Sequence, residues 1–192
     1  MCKDIWIKAN LVSFLGLIFT SLGIYFCFIG KIGYAVLLLA MSGISDGIDG
    51  NFAKKFRKNG QNPEYGVQLD SLADIVCSGV LPVIICLSLG FTEWYNAIIY
   101  CIFMICGITR LTYYNVNSSN DKFYKGVPIT VSTFVIPIIY CFTKKNIYYS
   151  LSLLMLSICY VLNIKIEKPG IRLRIILSAI IFTFLLLFFI FK

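Results

Sequence analysis

The chain has 192 residues, of which 59% are hydrophobic and only 14% charged, with a formal net charge of +8 and a mean hydropathy of +0.85. Soluble domains carry about a quarter charged residues, so this composition excludes one and indicates a polytopic membrane protein. The apolar runs are about 20 residues long and unbroken, which predicts helices rather than barrel strands alternating over about 10.

In chain order the runs are Asn10 to Ile29, Gly33 to Phe52, Asp70 to Gly90, Trp94 to Val116, Val127 to Phe142, Ile147 to Leu162 and Ile171 to Phe191. They predict an all-α, polytopic membrane helical bundle of about seven transmembrane helices, forming a single domain over residues 1–192. The fifth and sixth are short for a bilayer of about 30 Å, and Pro128 and Pro137 predict a kink or tilt there. The first run lacks a small-residue cleavage pattern after it and reads as a retained span.

Basic residues set the orientation. With the N-terminus in the cytoplasm, thirteen lie inside: Lys3, Lys8, Lys54, Lys55, Arg57, Lys58, Arg110, Lys122, Lys125, Lys165, Lys168, Arg172 and Arg174. Lys31, Lys144, Lys145 and Lys192 lie outside. The positive-inside rule favours that arrangement in the cell membrane, and the excess charge attracts anionic membrane lipids. Nucleic-acid binding is disfavoured, because the basic residues occupy short loops rather than one soluble face. The eight cysteines form no CxxC pair and read as small apolar side chains.

Four aspartates fall in one stretch, SDGIDGNFAKKFRKNGQNPEYGVQLDSLAD, in a chain with nine acids in all. On helices, Asp46 and Asp49 stand at i and i+3, and Asp70 and Asp74 at i and i+4, so each pair shares a face. Carboxylates about 4 Å apart repel by about 4 kcal/mol per pair at an effective dielectric near 20, so a cation must hold them together. Lys54, Lys55 and Arg57 are one source. With no histidine in the chain, hard oxygen ligands suit two divalent ions, Mg²⁺ or Mn²⁺, better. Two such ions sharing carboxylates are an apparatus for displacement at phosphorus. Gly47, Gly50 and Ala53 clear side-chain bulk for a nucleotide or diphosphate, and Lys54 offers a neutralising charge.

Asp46, Asp49, Gly50, Ala53 and Lys54, followed by Gly66, Asp70 and Asp74, resemble DxxDGxxAR and GxxxDxxxD, the signature of the CDP-alcohol phosphatidyltransferases. Within that family, YGVQLDSLADIVCSGVLP from Tyr65 to Pro82 is similar to the FGxxLDSLADxxxFGVxP of the serine-using branch. RLTYYN from Arg110 to Asn115 and KGVPIT from Lys125 to Thr130 are similar to its RLxxFN and GLPxP-like stretches. Two features depart from the pattern. Lys54 stands where the family has Arg, giving up a planar bidentate grip on phosphate, and the spacer from Lys55 to Tyr65 is longer than usual.

The resemblance implies a six-helix catalytic core plus a C-terminal helix, a homodimer, and motif acids at the cytoplasmic ends of the second and third spans. It implies transfer of the phosphatidyl group from CDP-diacylglycerol to the hydroxyl of L-serine, with CMP released. Asp46, Asp49, Asp70 and Asp74 would hold the two ions, and Asp74 would also act as general base. Gly50, Ala53 and Gly66 would line the cytidine pocket, with Lys54 near the diphosphate.

Arg110 interrupts an apolar span. It pairs with a motif aspartate or, by its guanidinium geometry, grips the serine carboxylate or a lipid phosphate; Lys125 is a weaker acceptor- or phosphate-binding residue. Two alternatives compete. The same chemistry could serve glycerol 3-phosphate or inositol phosphate, although little beyond Arg110 and Lys125 would bind a phosphorylated acceptor. A cation transporter would need acids near mid-membrane, and a non-catalytic scaffold leaves the motif unexplained.

Overall fold

A computed structural model describes residues 10–56, 63–117, 123–162, 165–167 and 183. Helix α1 (Asn10–Phe28) and helix α2 (Ile32–Phe56) form an antiparallel hairpin. The reversal is made by Gly30, whose φ of +74° lies in the left-handed region that a Cβ disfavours. The Lys31 N–H then closes on the Phe26 carbonyl at 2.9 Å, so the end of α1 is capped by backbone.

The next rod has three parts: α3 (Pro63–Asp74), a π-helical segment (Ile75–Val80) and α4 (Leu81–Ser88). Pro82, near the start of α4, accounts for the middle part. Proline has no N–H, and its ring crowds the carbonyl four residues back, here that of Ser78. The helix widens instead, and the Leu81 N–H reaches Val76 O, a π-type bond across five residues. The Ser132 hydroxyl donates to Ser78 O at 2.5 Å and so supplies that carbonyl with a donor from outside the helix.

Helix α5 (Trp94–Asn117) follows, then strand β1 (Phe123–Lys125), a 3₁₀ turn (Ile129–Val131), α6 (Ser132–Phe142), α7 (Asn146–Val161) and strand β2 (Lys165–Glu167). The two strands pair antiparallel, Tyr124 opposite Ile166. This three-residue pairing is a detail that hydrophobic runs do not reveal, and it leaves the architecture helical.

Among the described residues, three helices are long and apolar enough to cross a membrane, Leu11–Phe28, Tyr65–Ser88 and Trp94–Val116, with shorter apolar helices at Ile32–Gly47, Ile129–Phe142 and Asn146–Val161. These match the first six runs of the sequence; the seventh, Ile171 to Phe191, lies outside the described residues apart from Thr183. The third helix begins at Pro63 rather than at Asp70, because hydropathy marks only the apolar part of a rod whose first turns are polar. Proline at a first helical position fits there, since that N–H has no intrahelical partner. Asp70 and Asp74 therefore sit inside a helix, not at its edge.

The core joins Val36 and Leu39 of α2, Leu81 and Ile85 of α4, Phe103 of α5, Ile136 of α6 and Leu153 of α7, all buried. Large apolar side chains such as Leu15, Ile18, Ile105, Leu151 and Ile158 face outward, as a bundle solvated by lipid requires. At the end where α5 and α7 begin, fully buried Asn96 donates to Glu93 Oε2 at 2.7 Å and accepts from Ser150 Oγ at 2.6 Å.

Candidate functional site

The opposite end of the bundle carries the acids. Asp46 projects from α2, and Asp70 and Asp74 from successive turns of α3. One carboxylate oxygen from each lies within 4.8 Å of the others, and all three residues are partly buried. Oxygens bound to one small divalent ion at about 2.1 Å stand at most about 4.2 Å apart. The spacing thus suits one ion after a small side-chain adjustment, or a close pair about 3.5–4 Å apart. Partial burial strengthens the mutual repulsion of the carboxylates and the attraction of a cation in equal measure. The donor set is oxygen only, so the residues present fit a hard divalent ion.

Space is available beside the acids. A Cβ at Gly47 would meet nothing within 4 Å, which leaves the helix surface next to Asp46 open among the described residues. Gly66, one turn before Asp70, is partly buried. Asp49, Gly50, Ala53 and Lys54 continue α2 beyond Asp46, with Asp49 three residues on; their side chains lie outside what is described. Lys125 falls in β1 opposite Lys165, and its side chain is likewise outside. Arg110 is 7% exposed on α5, with its guanidinium 5.3 Å from the centre of the Tyr114 ring. It is therefore not a solvated loop-end charge. Asp46, Asp70, Asp74 and Arg110 are all engaged with neighbours.

Several groups that position the acids escape a motif reading. Ser45, immediately before Asp46, donates to Val12 O of α1 at 2.9 Å and fixes the rotation of α2. Ser71, immediately after Asp70, accepts from Asn115 Nδ2 at 2.7 Å while donating to Val67 O. The start of α6 crosses α2 one turn before Asp46: a Cβ on Gly43 would lie 2.8 Å from Thr133 Cβ, so only glycine permits that approach. Gly126, at φ +75°, passes so close to α7 that an added Cβ would stand 2.6 Å from Tyr160 O. Asn115 and Gly126 lie in stretches that resemble the family, but their partners depend on tertiary contact.

Fold and site together describe a helical protein with membrane-crossing segments and a carboxylate centre at one end of its bundle. The chain belongs to the CDP-alcohol phosphatidyltransferase family, whose model matches residues 6–185. It is similar to the CDP-diacylglycerol--serine O-phosphatidyltransferase of Saccharomyces cerevisiae, 32% identical over 113 residues, covering 54% of this chain and 40% of the relative. It is also similar to the archaetidylserine synthase of Methanothermobacter thermautotrophicus, 28% identical over 141 residues, 73% of this chain and 60% of the relative. A third, the CDP-diacylglycerol--serine O-phosphatidyltransferase of Helicobacter pylori, is 25% identical over 154 residues, 78% of this chain and 62% of the relative. The matched segments thus span about two fifths to three fifths of these relatives' lengths.

Proposed function

We propose that the protein transfers the phosphatidyl group of CDP-diacylglycerol to the hydroxyl of L-serine, giving phosphatidylserine and CMP. The observation that carries this reading is the meeting of Asp46, Asp70 and Asp74 from two helices within 4.8 Å, in a chain similar to proteins named as serine O-phosphatidyltransferases and an archaetidylserine synthase.

Asp46, Asp49, Asp70 and Asp74 would hold two divalent ions, Mg²⁺ or Mn²⁺, which would supply charge stabilisation to the diphosphate as CMP is displaced from the phosphorus nearer the lipid. Gly50, Ala53 and Gly66 line the cytidine pocket, and Lys54 neutralises a phosphate oxygen. A carboxylate oxygen of Asp74 takes the proton of the serine hydroxyl. The serine oxygen then bonds to phosphorus, the bond from phosphorus to the CMP oxygen breaks, and CMP leaves with the electron pair. Arg110, nearly buried, holds the serine carboxylate through its planar fork, with Lys125 a second anchor for acceptor or phosphate. The acids face the cytoplasm, the N-terminus is cytoplasmic, and the chain works as a homodimer in the cell membrane.

Membranes containing the protein, given CDP-diacylglycerol and Mn²⁺ with serine, glycerol 3-phosphate or inositol phosphate in turn, test the reading by CMP release. Release with serine alone is expected. Release only with another alcohol would replace the acceptor while keeping the chemistry, and ion flux into vesicles without CMP release would favour transport.

A further inference from the structure

Asp70, Asp74, Cys77, Leu81 and Ile85 are spaced by four, three, four and four residues. In an unbroken α-helix they would form one stripe, and the acids would have to face wherever the apolar residues pack. Thr20 of α1 donates to Cys77 Sγ at 2.9 Å, and Leu81 lies over Gly23 of α1, where an added Cβ would stand 3.0 Å from its Cδ2. Asp70 and Asp74 meet Asp46 of α2. The π segment between Asp74 and Leu81 breaks the α-helical register between the acids and these packed residues. It acts as one inserted residue, rotating everything after it by about 100° relative to what precedes it.

Two side chains hold that segment open. Pro82 withholds the N–H that an α-helical register would aim at Ser78 O, and Ser132, fully buried at the start of α6, donates to that carbonyl. We propose that Pro82 and Ser132 are positioning residues of the acidic centre: by fixing the π register they set the rotation at which Asp70 and Asp74 face Asp46. The inference rests on the reading of those carboxylates as ligands of a divalent ion. Neither residue touches a substrate or the ion, and both act through the helix that carries the ligands.

Ser132→Ala and Pro82→Ala, in the full chain in detergent, test the assignment with two readouts. One is Mn²⁺ affinity, from loss of the free-ion paramagnetic resonance signal; the other is the Mn²⁺ concentration giving half-maximal CMP release. Both variants are expected to weaken Mn²⁺ binding by about tenfold, the range seen when groups supporting metal ligands are removed, with the Michaelis constant for serine little changed. Ser157→Ala is the control for loss of a buried hydroxyl, since Ser157 donates within its own helix, to Leu153 O. It should leave both readouts at the wild-type value. A wild-type Mn²⁺ affinity in either variant removes that residue from the role, and wild-type affinity in both, or an equal loss in the control, overturns the proposal. Wild-type protein that binds Mn²⁺ without releasing CMP would defeat the proposed activity alone. Wild-type protein that binds no Mn²⁺ would defeat both.

Discussion

Asn115 and Ser71, forty-four positions apart, are joined by a 2.7 Å hydrogen bond that ties the C-terminal end of α5 to the turn of α3 between Asp70 and Asp74. Because Ser71 also donates to Val67 O, its hydroxyl hydrogen is committed and its lone pair is what Asn115 uses. Asn115→Ala should lower unfolding stability by about 1 kcal/mol, the usual net worth of such a bond. A cycle with Ser71→Ala, followed by thermal unfolding in detergent, should show a coupling of similar size between the two positions. Additive losses would mean that the bond contributes nothing.

Asp74→Asn keeps the shape of the side chain and removes its basicity. Turnover should fall about 10²- to 10⁴-fold, as when a general base is lost, while CDP-diacylglycerol still binds. Stopped CMP release with retained binding of labelled CDP-diacylglycerol is the expected pair of results. Normal turnover would remove Asp74 from the base role.

Two glycines on α2, one turn apart, should respond oppositely to the same substitution. Gly43→Ala drives a methyl group into Thr133 of α6 and should cost about 1–3 kcal/mol through overpacking. Gly47→Ala meets nothing within 4 Å among the described residues, so the helix should gain up to about 1 kcal/mol from the better helix former. Its Michaelis constant for CDP-diacylglycerol should nevertheless rise, because the methyl group enters the opening beside Asp46. Thermal unfolding and initial rates on the two variants check both halves.

Chelation should act on folding as well as on activity. With EDTA, CMP release should fall to background and return with Mn²⁺ or Mg²⁺. The unfolding temperature should climb with added Mn²⁺, since an ion at about 100 times its dissociation constant stabilises the state that binds it by about 2.7 kcal/mol. Asp46→Asn should flatten that climb. An unfolding temperature indifferent to Mn²⁺ in the wild-type chain would count against the carboxylates as a metal site.

The acids were legible in the sequence because charge in so apolar a chain is conspicuous and their helical spacing is simple. Asp46, Asp70 and Asp74 duly meet. The first six apolar runs were legible for the same reason of contrast. Contrast failed where polarity and structure part company. The turns from Pro63 to Leu69 are helical yet not apolar enough to register as a span, so Asp70 looked like a boundary. Periodicity also assumes a constant turn, so the stripe from Asp70 to Ile85 hid the widened helix, although Pro82 four residues after Ser78 was its signal. Ser45, Ser71, Ser132 and Asn115 are ordinary polar residues in sequence. Their roles depend on what crosses them in space.

Asn96 bears on how deep the acids sit. Its amide meets Glu93, the residue just before its own helix, and Ser150 on α7 at the same time, and that match exists at only one axial offset between α5 and α7. Sliding one helix past the other by a turn would strand a fully buried amide in an apolar setting, at a cost of several kcal/mol. A bilayer thicker or thinner than the bundle must therefore tilt these two helices together or deform around them. The spacing between Asn96 at one surface and Asn115 beside the acids at the other, both on the rigid length of α5, does not follow the lipid, so the height of the carboxylate centre is a property of the protein.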